Sequence, residues 1–242
     1  MKRVAVIIAV LALCTSGFSQ TRESLHSSRH FYAPTGFTVP ADSIYLNWVG
    51  PLLLDVNFGI TDKLTAGIGT PLFTGVYGTA SYGGALTSNQ LIHGRIGGLM
   101  GFPVVGEGFY ALPYGVLTYG TPRHEMTLGA GYFHFAPALQ EAIDLDFDPS
   151  SPALNVGGYN KLNNRLGLVY EFWWLPESQY TVFMPGVRFF TRRNKQYWNI
   201  GIIRLWWPYM QETWDPVTGQ YTGEYKAIER ITLPMFSFAS YL

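Results

Sequence analysis

Asp55, Arg95, Glu171, Arg188 and Arg204 each stand in an otherwise apolar, alternating stretch, and Asn57 falls on the same side as Asp55. An ionised group in such a setting must face water or a partner, because an unpaired buried charge is costly. If these six side chains line the lumen of a barrel, two chemistries follow. In a narrow lumen the charges pair across it and fill it. In a wider one they line a water channel and bias which ions or solutes pass. Both readings stay open, because alternation does not encode lumen width.

The other chemically capable groups form weaker patterns. Asp144, Asp146 and Asp148 echo the start of a calcium loop, but Pro149 replaces the turn glycine and Asn155 replaces the closing glutamate. His26, His30, His93, His124 and His134 lack metal-ligand spacing such as HExxH. Lipid hydrolysis or acyl transfer needs a serine beside a histidine base. The candidates Ser81, Ser88, Ser237 and Ser240 stand in no recognisable motif. The glycine-rich run Gly94 to Gly101 lies in a strand-like pattern, where glycine relieves crowding or permits curvature rather than cradling phosphate. No catalytic residue, cofactor or metal is expected.

The elements that must position these residues are strands. Between Arg165 and Trp174, Leu166, Leu168, Tyr170, Phe172 and Trp174 fall on one face, with Gly167, Val169, Glu171 and Trp173 on the other. Ten extended, tilted residues span about 25 Å, the height of an outer-membrane apolar band. The pattern recurs at Leu52 to Ile60, with Asp55 and Asn57 inward, and at Ile92 to Met100, with His93 and Arg95 inward. Thr181 to Thr191 turns Arg188 inward. Tyr197 to Trp207 sets Ile203, Leu205 and Trp207 opposite Arg204, although Ile200 and Ile202 blur that segment. The last strand, Arg230 to Leu242, is aromatic-rich. One strand within Leu72 to Gly84 and one nearer the N-terminus complete a count of twelve, with ten the nearest alternative. Pro51, Pro103, Pro113, Pro185 and Pro234 fall in or beside these strands, where proline cannot donate to the ladder.

The composition agrees. Charged residues are only 13% of the chain, aromatics are 16%, and there are 27 glycines, a poor fit to a soluble domain. Met1-Lys2-Arg3, the apolar run Val4 to Leu13 and the small residues Gly17 and Ser19 have the layout of a signal peptide over residues 1–19, with the barrel over 20–242. Cys14 raises a lipoprotein alternative, but Leu13 is a poor fit to such a signal. Without Lys2 and Arg3, 14 basic residues face 16 acidic ones, a net charge of −2. That argues against a nucleic-acid partner. The mature chain has no cysteine, which excludes disulfides and thiolate metal sites.

The expected fold is therefore all-β: a transmembrane antiparallel meander barrel in the outer membrane. Trp173, Trp174, Tyr180, Trp206, Trp207 and Tyr209 are the expected interface aromatics, since an apolar ring with a polar edge suits the headgroup layer. Long polar stretches at 137–152 and 207–228 fall on one side of the membrane and short turns on the other, as in outer-membrane barrels.

Phe58-Gly59-Ile60-Thr61-Asp62 and Gly186-Val187-Arg188-Phe189-Phe190, with the stretch from Arg29 to Gly69, resemble a group of uncharacterised Gram-negative outer-membrane β-barrel proteins. The resemblance implies fold and location and carries no activity. The expected partners are the lipid bilayer and, during insertion, the barrel-assembly machinery. The leading expectation for function is a passive, porin-like small-solute channel or a structural barrel with a charge-lined interior. One alternative is a surface barrel docking a partner through loops 137–152 and 207–228; the other is a lipid-modifying enzyme.

Overall fold

The computed structural model describes residues 27–50, 53–71, 75–104, 107–136, 150–177, 179–191, 196–214 and 221–241, with the side chains of 209–227 outside the description. Twelve strands follow one another: β1 Ile44–Val49, β2 Leu53–Gly59, β3 Leu64–Pro71, β4 Gly75–Ala85, β5 Ile92–Pro103 and β6 Tyr110–Thr121; then β7 His124–Phe135, β8 Ser151–Lys161, β9 Leu166–Leu175, β10 Tyr180–Phe190, β11 Gln196–Trp214 and β12 Tyr221–Tyr241. Each pairs antiparallel with its sequence neighbours, and β12 closes on β1 through Tyr241↔Tyr45 to Ser237↔Val49. The result is a closed twelve-strand meander barrel. Closure satisfies the backbone of every wall strand without leaving an open sheet edge around the base.

Period-2 alternation sorts the side chains. Ile68, Ile96, Leu117, Leu128, Leu168, Phe172, Trp198 and Ile200 are exposed on the outside. Asn47, Asp55, Asn57, Thr118, Thr127, Asn155, Glu171, Arg188 and Asn199 are buried inside. An apolar exterior around a polar interior inverts the arrangement of a soluble barrel. Large inward rings are accommodated by glycine on the neighbouring strand: a Cβ on Gly69 would meet Tyr77, and one on Gly101 would meet Tyr110.

The prolines sit where the ladder tolerates them. Pro103 ends β5. The β10–β11 register runs to Phe183↔Arg204 and resumes at Gly186↔Gly201, stepping past Pro185. The β6–β7 register likewise steps past Pro113. Pro234 lies in the part of β12 that pairs in register only with β11. Pro51 lies outside the described residues, as do residues 1–26 with the expected signal peptide, Asp144, Asp146, Asp148 and most of loop 137–152.

The wall is uneven. β1, β2 and β3 have six, seven and eight residues, against ten to twelve in β4 to β10. β11 and β12 are longer still, at 19 and 21 residues. Beyond Thr181↔Trp206, β11 pairs only with β12, so the two strands continue past the rim as a two-stranded ribbon. On its other edge β12 keeps a strand partner only from Ser237 onward, with one further bond from Gly50 N–H to the Phe236 carbonyl. Among the described residues the wall is therefore lowest at β1–β3, directly beside a tall β12.

Candidate functional site

The residues just before β1 enter the barrel. From Ile44 the chain passes beneath the β2–β3 turn, where the Ala41 N–H donates to Asp62 Oδ1 at 3.2 Å and the Thr38 hydroxyl donates to the Asp62 carbonyl at 2.6 Å. Residues 28–35 then form a tight hairpin within the lumen: the His30 N–H donates to the Ala33 carbonyl and the Thr35 N–H to the Ser28 carbonyl, both at 3.1 Å. Phe31, Ala33, Thr35 and Phe37 are buried.

The inward charges seat this hairpin. Glu171 Oε2 accepts the N–H groups of Phe31 (2.8 Å) and Tyr32 (3.0 Å), while Oε1 accepts the Ala33 N–H (3.0 Å) and the Trp173 indole N–H. A carboxylate offers about four acceptor positions, so this one is filled. From the opposite polarity, Arg188 donates to the carbonyls of His30 (2.8 Å) and Arg29 (3.3 Å) and to Asn199 Oδ1 (2.9 Å). Its guanidinium also lies over the rings of Tyr197 and Tyr159, at 4.0 and 5.0 Å. Arg95 donates to the Ser28 and Phe37 carbonyls and to Ser81 Oγ.

Two ionisable pairs join side chains of the hairpin to side chains of the wall. Arg29 meets Asp55 at 2.6 Å, and Asn57 and Tyr77 also donate to that carboxylate. His30 Nε2 lies 2.6 Å from Glu125 Oε1, whose other oxygen accepts from Thr127. Burial, and after it the neighbouring Glu171 carboxylate, pushes the Tyr32 phenol well above its ordinary range, so it stays protonated at any physiological pH. Small residues make the room: a Cβ on Gly157 would collide with the His30 ring, and one on Gly36 would come within 2.6 Å of the His93 carbonyl oxygen.

Asp55, Asn57, Arg95, Glu171 and Arg188 therefore face inward, where they bond the hairpin or one another. Arg204 does not join them. It is in register with Phe183 on β10 and Thr232 on β12, and Phe183 is in register with the outward Phe172, so Arg204 stands on the outer face with its guanidinium 5.1 Å from the Trp206 ring. Sequence had set β11 one residue out of phase. Trp173 is corrected in the other sense: it faces the lumen and bonds Glu171, so it is no interface residue. Trp174 and Trp206 are on the outer face, both in register with Thr181. Tyr180 and Trp207 stack at the rim, 6.4 Å apart, with the parity of the lumen-facing residues. The Tyr209 side chain lies outside the described residues.

Among the partners that went unrecognised in the sequence are Arg29, His30 and Glu125. A signal for Glu125 was present, because Glu125, Thr127 and Gly129 alternate with the outward Met126 and Leu128. Of the candidate serines, Ser81 is bonded by Arg95 and Ser237 by Asn199. The second ring nitrogens of His30 and His93 meet no hydrogen-bond partner, serine included.

Above the hairpin the lumen holds a cavity of about 370 Å³. Its floor is Arg29, Tyr32, Ala33 and Pro34, and its walls include Leu53, Leu99, Leu112, Val182, Ile203 and Leu205. The expected charge-lined interior is thus divided. The charges are taken up in the lower half by the chain's own segment, and the free space above is mainly apolar.

No protein-family model and no curated sequence matches the chain. Among solved structures, two forms of OmpT, an in-vitro folded outer membrane protein of Vibrio cholerae, are similar. The trimer form is 8% identical with a TM-score of 0.33, covering 83% of this chain and 96% of that one. The other is 9% identical at the same TM-score, covering 83% and 95%. At that distance the barrel assignment rests on this chain's own strand register.

Proposed function

We propose that this protein is an outer-membrane β-barrel, exported by its residues 1–19, whose lumen is closed by its own N-terminal segment. The supporting observation is the seating of residues 28–37: three consecutive backbone N–H groups on Glu171, and two consecutive carbonyls on Arg188. Buried carboxylates and guanidiniums with this many fixed partners hold a segment in place; they do not offer water-facing charge to a passing solute. The barrel is then a structural or gated one at rest. It becomes a passive route for small solutes only when the hairpin leaves.

Planar-bilayer recording tests this. Full-length mature protein is expected to be silent, and a variant lacking residues 27–37 is expected to show steady single-channel openings. Steady open-channel current from the intact protein overturns the proposal. A second reading, docking of a surface partner, is favoured by the β11–β12 ribbon that continues past the wall strands. Replacing residues 209–226 by a short turn should abolish that docking and leave the electrical silence unchanged.

A further inference from the structure

The outer wall carries a charge pattern that closure of the lumen does not require. Among the described strand side chains, Arg204 and Arg230 are the only Lys, Arg, Asp or Glu at outward positions, and the two are neighbours. Arg204 is in register with Thr232 and Trp206 with Arg230, so the arginines lie on a cross-strand diagonal. Such a diagonal sets them about 7–8 Å apart, within reach of long side chains. The Arg204 guanidinium lies 5.1 Å from the ring of Trp206, the residue opposite Arg230. Arg204 is half-buried, Arg230 is exposed, and neither forms an ion pair with a described residue. Like charges held side by side repel each other, and an ionisable residue facing hydrocarbon points to a function. A shared anion removes both costs.

We infer that Arg204 and Arg230 bind the phosphate of an anionic lipid in the leaflet on the ribbon side. A planar guanidinium chelates phosphate oxygens through paired N–H donors. Trp206 marks the height, since an indole is at home where headgroups meet hydrocarbon. Toward the opposite rim the outer surface is apolar: Ile202, Ile200 and Phe236 are exposed there and offer the acyl chains a seat. On the rim side a groove between Phe172, Thr181, Trp206 and Ile228 leaves room for the rest of the head group. Cations above and apolar surface below match the order in which a membrane lipid presents its head and tails. Free phosphate has the charge but nothing to lay on the apolar surface. A neutral lipid has the chains but no partner for the guanidiniums. The inference rests on the membrane reading of the barrel and is independent of whether the hairpin closes the lumen. Binding stabilises the folded chain only where the anionic lipid is present.

Native mass spectrometry of the full-length mature protein in a maltoside detergent tests this with dioctanoylphosphatidic acid, dioctanoylglycerol and inorganic phosphate. One phosphatidic acid per chain should bind ahead of further copies, and the diglyceride should show no such preferred site. Inorganic phosphate at equal concentration should not displace the lipid. Arg204→Gln and Arg230→Gln should each weaken phosphatidic acid about tenfold, the share of one charge-assisted contact. Arg165→Gln, the same charge change in the exposed β8–β9 turn, should leave binding unchanged. Heat-modifiable gel mobility confirms that each variant is folded. Undiminished binding by both Arg204→Gln and Arg230→Gln overturns the inference, as does an equal loss from Arg165→Gln. Diglyceride that binds as tightly as phosphatidic acid, or displacement by inorganic phosphate, overturns the assigned ligand. A folded, detergent-dependent barrel without selective lipid binding sinks this site alone. A mature chain that stays folded and soluble without detergent sinks the membrane reading with it.

Discussion

Phe31 and Glu171 are 140 residues apart in sequence, and the backbone N–H of one donates to the carboxylate of the other at 2.8 Å inside the barrel. The bond is one of three that Glu171 takes from consecutive amides, so the carboxylate holds a stretch of chain rather than a side chain. It joins the segment before β1 to the wall at β9.

Removing that carboxylate should release the hairpin and spare the barrel. Glu171→Leu strands three amides and an indole N–H, each costing about 1–3 kcal/mol when buried without an acceptor. None of these bonds belongs to the strand ladder. Limited proteolysis should therefore cut within residues 27–43 while the barrel keeps its heat-modifiable mobility. Glu171→Gln should fall between, since its amide retains one acceptor oxygen. Unchanged protection of the segment in Glu171→Leu contradicts the seating role.

Arg188 and Arg204 provide a paired test of which face each occupies. Arg188→Leu removes the donors to two hairpin carbonyls and to Asn199 and should cost about 1–3 kcal/mol, since it leaves buried neutral acceptors without a donor. Arg204→Leu should change stability by only about 0–1 kcal/mol, toward greater stability, because an arginine on the lipid side near an interface is mildly unfavourable. Urea unfolding in bilayers measures both. Equal losses would mean that Arg204 faces inward after all.

Gly157 offers a route to hairpin release without touching a charge. Any Cβ there collides with the His30 ring, so Gly157→Val should push residues 29–31 off the wall and weaken the His30–Glu125 contact. The expected result is intermittent current in planar bilayers and faster proteolysis before residue 43. Gly115→Ala is the control, because its nearest neighbour is a side-chain methyl at 3.9 Å; it should stay silent. Silence from both variants would show that the hairpin tolerates the displacement.

How much was legible in the sequence follows from the range of each signal. The alternation in Leu166 to Trp174 and around Asp55 sets strand, face and inward charge together, because a period of two is a local property of extended backbone. Twelve strands and their order follow once turns separate those runs. β11 could not be phased in this way. Its inward Ile203 and Leu205 line the apolar cavity while Ile200 and Ile202 face out, so the contrast between faces vanishes there. Only the neighbours settle it: Asn199 turns inward to Arg188, which carries Arg204 out.

What fills the barrel was a tertiary matter from the start. The composition, the alternation and the isolated charges determined a barrel with an apolar exterior and ionised groups inside. Whether those groups met water, each other or a segment of chain depended on contacts such as Arg188 with His30, separated by 158 positions. No local pattern encodes such a contact, because backbone amides and carbonyls are present at nearly every residue. Which of them a buried charge selects is decided only when the closed wall fixes the space that the segment must occupy.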